Sequence, residues 1–496
     1  MRKWLSSYSV HGLLQRRYVV TLLGFLCSIV TQSQRLNIAL AMVVMANSTN
    51  VEPKVFRRNY TECPITTEEK EYTKLHQSEF SWDPELQGYI LSAGYLGYIL
   101  TQIPGGILAG KYGSKILIVG SVLFSSICNL LSPIAARQHP YVFLAVQVIR
   151  GMSQGPIMPA MSLLMARWFP KCERGFLSAF IYCGFPIGAF ICSILSGPIC
   201  EIEFDNGWPF IFYIFGLLGV LVSLLVAIYY VETPSQDTKI SEKELQYITE
   251  SCTNSSETPP PTPWCAIISS IPTYSLIIAL FGQYWMAFYF LADHPTYMGT
   301  ILHIPIKQNG ILSSFPHLAQ SLAGFLACCM SFWLIQNDTS KVNLVRKGCN
   351  SISCFGFALG MMGIYFSGCD NTWNEICLFI ATAAVGFGFP GSLIVSVDMS
   401  PTFCGVVMGI TSTLGSSAGI VVPVLVGELT KEKQILAQWD KMFIITAAIA
   451  AVSGIVFHVF GSTDTQPYDP SFSKDVNSEK VSKQDDCNKN QNSTKL

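Results

Sequence analysis

Long apolar runs recur twelve times along this chain, separated by short breaks rich in glycine, proline, lysine or arginine. A bilayer core takes about 20 mostly apolar residues to cross as a helix. Inside it no water satisfies backbone N–H and C=O groups, so continuous apolar runs must be helices bonded within themselves. The runs lie near 18–46, 86–110, 115–136, 139–167, 176–200, 208–231, 273–298, 308–335, 347–367, 374–399, 404–428 and 441–461. The fold class read from this pattern is an all-α membrane protein with twelve transmembrane helices.

Composition agrees. Half of the 496 residues are hydrophobic and only 13% are charged, where soluble domains carry about a quarter. The net charge of −1 names no partner. No basic stripe with interleaved aromatics appears, so nucleic acid is excluded as one. Most of the 17 cysteines, such as Cys27, Cys128, Cys183, Cys328 and Cys329, sit inside apolar runs and act there as small hydrophobes. Cys63, Cys200 and Cys369 fall near outer loops, where a disulfide among them is chemically allowed. No paired CxxC motifs occur, which argues against structural zinc. The first run is read as a span rather than a signal peptide. No small-residue cleavage site follows Tyr18–Val30, and apolar character continues past Arg35.

Lysine and arginine concentrate in one set of short loops: Arg2, Lys3, Arg16, Arg17, Lys111, Lys115, Arg167, Lys171, Arg174, Lys341, Arg346 and Lys347. The positive-inside rule puts these loops and both termini in the cytosol. The domain plan is then a cytosolic N-terminus over 1–17 and a six-helix bundle over 18–231. A cytosolic linker covers 232–272, a second bundle 273–461, and a polar tail 462–496, expected to be disordered. The first bundle carries an outer loop, 47–85, whose Asn47 and Asn59 stand in glycosylation sequons. The linker reads as a short surface helix followed by the stiff Pro259–Trp264 stretch. Six spans, a polar centre and six more spans describe two halves that rock about a site near the midplane.

Two charges interrupt this apolar pattern. Arg35 lies in span 1 and Arg150 in span 4, and each costs about 2.5–3.5 kcal/mol at span centre. Each sits about ten residues from the outer end of its span, hence roughly 15 Å below the outer surface. Two guanidinium groups at one depth can clamp a carboxylate or phosphate. Helix bracing is the competing role for Arg150. Gln154 lies one turn beyond Arg150 on the same face. Gln283 and Tyr284 stand at comparable depth in span 7 and complete the candidate binding set. Asp293, His294, His317 and Asp398 are titratable and could carry a proton, with hydration or capping at helix ends as the plainer role.

A series of stretches, in order and at matching spacing, resembles one family. They are Arg35–Asn37, Gly97–Gly106, Glu173–Arg174, Trp208–Gly216, Pro295–Met298, Gly310–Pro316, Asp398–Pro401 and Met408–Thr411. The chain resembles the anion transporters of the major facilitator superfamily, which include sialin, the vesicular glutamate transporters and type I sodium-phosphate cotransporters. That resemblance implies the major facilitator fold, with spans 1, 4, 7 and 10 lining a cavity. It implies an anion-binding role for Arg35. Sialin's two span-4 glutamates, tied to proton coupling, match Arg150 and Gln154 here. The span-2 histidine and span-7 arginine of the glutamate carriers match Leu91 and Gln283. Replacing acids by a base makes the cavity more cationic.

The reading that follows is a secondary active carrier of small organic or inorganic anions, phosphate among them, working as a monomer in the lipid bilayer. It needs no cofactor beyond a coupling ion, Na+ or H+, and sodium or membrane potential is favoured. Its small anionic substrate is its one soluble partner. The alternatives are a lysosomal proton-coupled exporter of acidic sugars and, in another class, an anion channel. A membrane-embedded enzyme would need clustered His, Asp or metal-ligand residues at one face, and the sequence offers none. The dileucine Leu13-Leu14 lacks an upstream acid, which favours the plasma membrane over a lysosomal or vesicular one.

Overall fold

The computed structural model describes residues 15–45, 79–200, 202, 204–251, 260–294, 297–298, 301–302, 306–336, 341–430 and 435–472. The glycosylation candidates Asn47 and Asn59 lie outside them. Twelve helical passages appear close to the expected places. Span 1 is Arg16–Met45, span 2 Pro84–Tyr112 and span 3 Ser114–Gln138. Span 4 is divided into Pro140–Gln154 and Ile157–Trp168, followed by span 5, Lys171–Cys200, and span 6, Trp208–Tyr229. Span 7 is Ile271–Phe288, prolonged by a π-turn over Tyr289–Asp293. Span 8 is Ile306–Gln336, span 9 Val342–Ser367 and span 10 Asn371–Gly386 with Val395–Met399. Span 11 comprises Cys404–Ser416 and Ala418–Thr430, and span 12 is Leu436–Phe460.

Nine described helices are long and apolar enough to cross a membrane alone. Spans 2, 4 and 10 fall short for different reasons. Span 2 is diluted by glycine, tyrosine and glutamine. Spans 4 and 10 are broken. Pro156 has no N–H for the carbonyl of Met152, one turn earlier. The Thr101 hydroxyl of span 2 donates to that carbonyl instead, at 2.9 Å, so the break leaves no exposed acceptor in the membrane. In span 10 the helix stops at Gly386 and resumes only after Gly391. The two breaks fall on the fourth span of each half. Interrupted helices at matching positions of two halves are where transporters of this build place their sites.

Within the first half, spans 1 and 5 pack along their lengths, as do spans 2 and 4. The latter pair approaches through glycines. A Cβ on Gly151 would stand 2.0 Å from the Gly94 carbonyl oxygen. Gly151→Ala is therefore expected to cost about 1–3 kcal/mol through overpacking, read as a lower melting temperature of the detergent-solubilised protein. The halves meet along spans 5 and 8 and along spans 2 and 11.

Charged clusters cap both ends. On the outer side Arg137 bonds Glu79 and Asp205 at 2.8 and 2.6 Å. Burial alone would raise the Glu79 carboxyl. Hydrogen bonds from Arg137, Trp208 and Asn206 outweigh it and hold the group below the usual carboxylate range. On the inner side the linker is docked rather than free. Its helix Glu242–Ser251 brings Glu244 onto the backbone N–H groups of Arg16 and Arg17, at 3.0 and 3.1 Å. A carboxylate there complements the positive end of the span-1 dipole. Asp237 pairs with Arg16 at 2.6 Å, and Glu232 accepts from Ser114 N, Lys115 N and Arg167.

The tail also differs from expectation over its first part. Residues 462–472 fold against the end of span 10. Gln466 N–H bonds the Met399 carbonyl, and buried Asp469 accepts from Ser400, Thr402 and Ser471. Polar composition suggested disorder, but one carboxylate gathering this many donors anchors the segment. Cys369 is disulfide-bonded, and Cys63 lies outside the described residues.

Candidate substrate cavity

A cavity of about 130 Å³ lies between the halves. Span 1 contributes Arg35, span 5 Tyr182, span 7 Gln283 and Tyr284, and span 8 His317 and Gln320. Phe288, Phe290 and Phe389 supply apolar walls. Among the described lining residues none is acidic.

Arg35 is half-buried and lies 4.4 Å above the ring of Tyr98. Its Nε donates to Gln154 Oε1 over a long 3.4 Å. Among the described residues no carboxylate pairs with it. Beside this cation stand Tyr98 and Gln154, and Tyr284 lies within electrostatic reach of it, its phenol in hydrogen-bonding proximity to Tyr98 and Ser412. Gln154 Nε2 is buried with no hydrogen-bond partner, and such a group costs about 1–3 kcal/mol. A guanidinium that no described carboxylate neutralises, with an amide and phenols next to it, suits an oxyanion, which brings only acceptors.

The other sequence candidates divide. Gln283 borders the cavity, but its amide is engaged behind the wall, donating to Ser353 at 3.0 Å and Asn350 at 3.3 Å. Arg150 does not line the cavity, which corrects the two-guanidinium clamp. It is 3% exposed and its Nη1 donates to the Gln34 carbonyl at 2.7 Å and to Asn37 Oδ1 at 3.4 Å. It braces span 4 against span 1, while remaining close enough to Arg35 for the two charges to repel. The two arginines stand close together, but helix rotation turns one toward the cavity and the other against span 1.

Of the titratable candidates, only His317 reaches the cavity. His294 is enclosed by the rings of Tyr289, Phe290 and Tyr297. The side chain of Asp293 lies outside the described residues. Asp398 sits at the inner junction of the halves, 3.0 Å from Arg346 Nε and 3.5 Å from Arg174 Nη1. Sequence reasoning missed Tyr98, whose ring lies under Arg35, although it falls inside the resembling stretch Gly97–Gly106.

Comparison with known proteins agrees with this geometry. The model of the Major Facilitator Superfamily matches residues 21–423. Human sialin is 32% identical over 91% of this chain and 90% of its own length. The mouse sodium-dependent phosphate transport protein 1 is 28% identical over 92% of this chain and 96% of its own. Among solved structures, the proton:xylose symporter bound to 6-bromo-6-deoxy-D-glucose superposes with a TM-score of 0.67 at 12% identity. That match covers 90% of this chain and 97% of the symporter and shows the shared fold. A cavity lined by Arg35, with no acid among its described lining residues, between two six-helix halves and relatives that span nearly the whole length lead to one assignment: the chain belongs to the Major Facilitator Superfamily, in its anion transporter branch.

Proposed function

We propose that this carrier moves a small oxyanion or carboxylate, inorganic phosphate among the candidates, across the plasma membrane by alternating access. The observation that carries the proposal is Arg35 itself, a cavity-lining guanidinium with no carboxylate partner among the described residues and no acid among the described lining residues. Arg150 and Gln154 stand where sialin's coupling glutamates would, so sodium or the membrane potential is the favoured drive. Both halves lie in one chain, which makes a monomer sufficient. The relatives' names, phosphate transport protein and sialin, point to a carrier rather than an enzyme.

The test is uptake into proteoliposomes of labelled phosphate, urate, glutamate and sialic acid, each with and without sodium, a proton gradient and an imposed potential. Saturable uptake of a small anion that rises with sodium or potential is expected. Uptake confined to sialic acid under a proton gradient would replace this reading with the acidic-sugar exporter.

A further inference from the structure

His317 enters the cavity from span 8, directly after Pro316. It is 7% exposed and its ring packs edge-on against Phe290 with centroids 4.7 Å apart. The titratable groups facing it are few. Span 1 brings Arg35, span 5 Tyr182, and span 7 Tyr284. The span-10 wall offers only Val385 and Phe389, and span 8 itself adds the neutral Gln320. His294 lies behind Phe290, its ring centroid 6.2 Å from that of the phenylalanine. Asp293 and Lys307 have side chains outside the described residues. Among the described residues the charge inside the cavity is therefore one fixed cation, Arg35, and one group able to add a second.

Net charge is costly in a low-dielectric space. A monovalent anion beside Arg35 is balanced. A divalent anion leaves one negative charge over, and a neighbouring imidazole becomes a cation when an anion stands beside it. We propose that His317 matches the cavity to anion valence: it takes up a proton when the site holds a divalent oxyanion and stays neutral with a monovalent one. The dianion then travels with one proton, bound at the imidazole on loading and released with the cargo. This rests on the reading of the cavity as an anion site.

The linkage has a definite sign. A base that gains a proton on ligand binding makes the ligand bind more tightly as pH falls, by up to about tenfold per unit between its free and bound midpoints. Sulfate and methanesulfonate are the probes, because both are tetrahedral and hold fixed charges of −2 and −1 between pH 5.5 and 8. Each is titrated against uptake of the best substrate in proteoliposomes of the full-length protein. Sulfate inhibition is expected to strengthen at least about tenfold from pH 8 to pH 5.5, and methanesulfonate inhibition to change less than about twofold. His317→Gln should flatten the sulfate profile at its weak level, and His317→Arg, whose guanidinium keeps its charge on burial, should flatten it at its strong level. Size-exclusion profiles check that both variants fold. A Gln variant that keeps the wild-type sulfate profile overturns the role of His317 alone. Failure of both probes to inhibit wild-type uptake overturns the anion reading of the cavity as well.

Discussion

Arg35→Ala is expected to reduce anion uptake by about thirtyfold to several thousandfold while leaving a folded protein. The range follows from the cost of truncating one partner of a desolvated, hydrogen-bonded charge pair, about 2–5 kcal/mol, at about 1.4 kcal/mol per tenfold. Arg35 makes one long hydrogen bond and one ring contact to its own protein, so its removal takes little from the empty fold. Arg35→Lys keeps the charge but loses the planar fork, and its activity should fall between the two. Arg150→Ala should behave oppositely. That side chain bonds the Gln34 carbonyl and Asn37, so its loss should show first as lower thermal stability. Initial uptake rates and melting curves on the same preparations separate the two outcomes.

The second large effect is expected at the inner junction. Asp398 takes Arg346 from its own half and Arg174 from the other, and both arginines are at most 2% exposed at the side chain. Arg346 is further held by the Pro390 carbonyl at 3.0 Å and by Ser331, whereas Arg174 also reaches the Val397 carbonyl. Breaking a buried pair from one side costs about 3–5 kcal/mol, because the stranded charge stays buried. Asp398→Ala leaves two such charges. The cheapest relief is to part the halves and hydrate Arg174. The variant should therefore populate an inward-open state. In a background carrying a cysteine at Gly405, which packs against Gly106 across the junction, thiol labelling from the cytosolic side should rise severalfold. Unchanged labelling would mean that the cluster does not hold the inner face shut.

How much of this was legible in the sequence depends on whether the feature is local. The spans were legible because hydropathy is a property of consecutive residues, and the observed helices start and stop within about five residues of the expected bounds. The break in span 4 was marked by Pro156, and that in span 10 by its glycines. The closeness of Arg35 and Arg150 was legible too, since the helix rise is fixed and both count the same distance along their spans. Azimuth was not. Consecutive residues on a helix point about 100° apart, and nothing near Arg150 in sequence reveals that span 1 presents the Gln34 carbonyl to it. The Asp398 pairs join residues far apart in the chain, so Asp398 read as a helix-end cap. Tyr98 and Ser412 carry hydroxyls of a kind common in membrane helices. Only the folded state shows that Tyr98 lies under Arg35 and that Ser412 neighbours the Tyr284 phenol. The docked start of the tail was hidden for the reverse reason: its polar residues find partners in Ser400 and Thr402, which composition does not report.

The central claim is that a cavity built around Arg35 binds a small anion in a carrier that alternates between two faces. Counterflow of labelled phosphate in proteoliposomes tests it most directly, with wild type and Arg35→Ala compared at equal folded protein. The account predicts saturable entry, accelerated by unlabelled phosphate inside the vesicle, and lost in the variant. Entry that grows linearly with concentration and ignores internal phosphate, or that survives the loss of Arg35 undiminished, would contradict it.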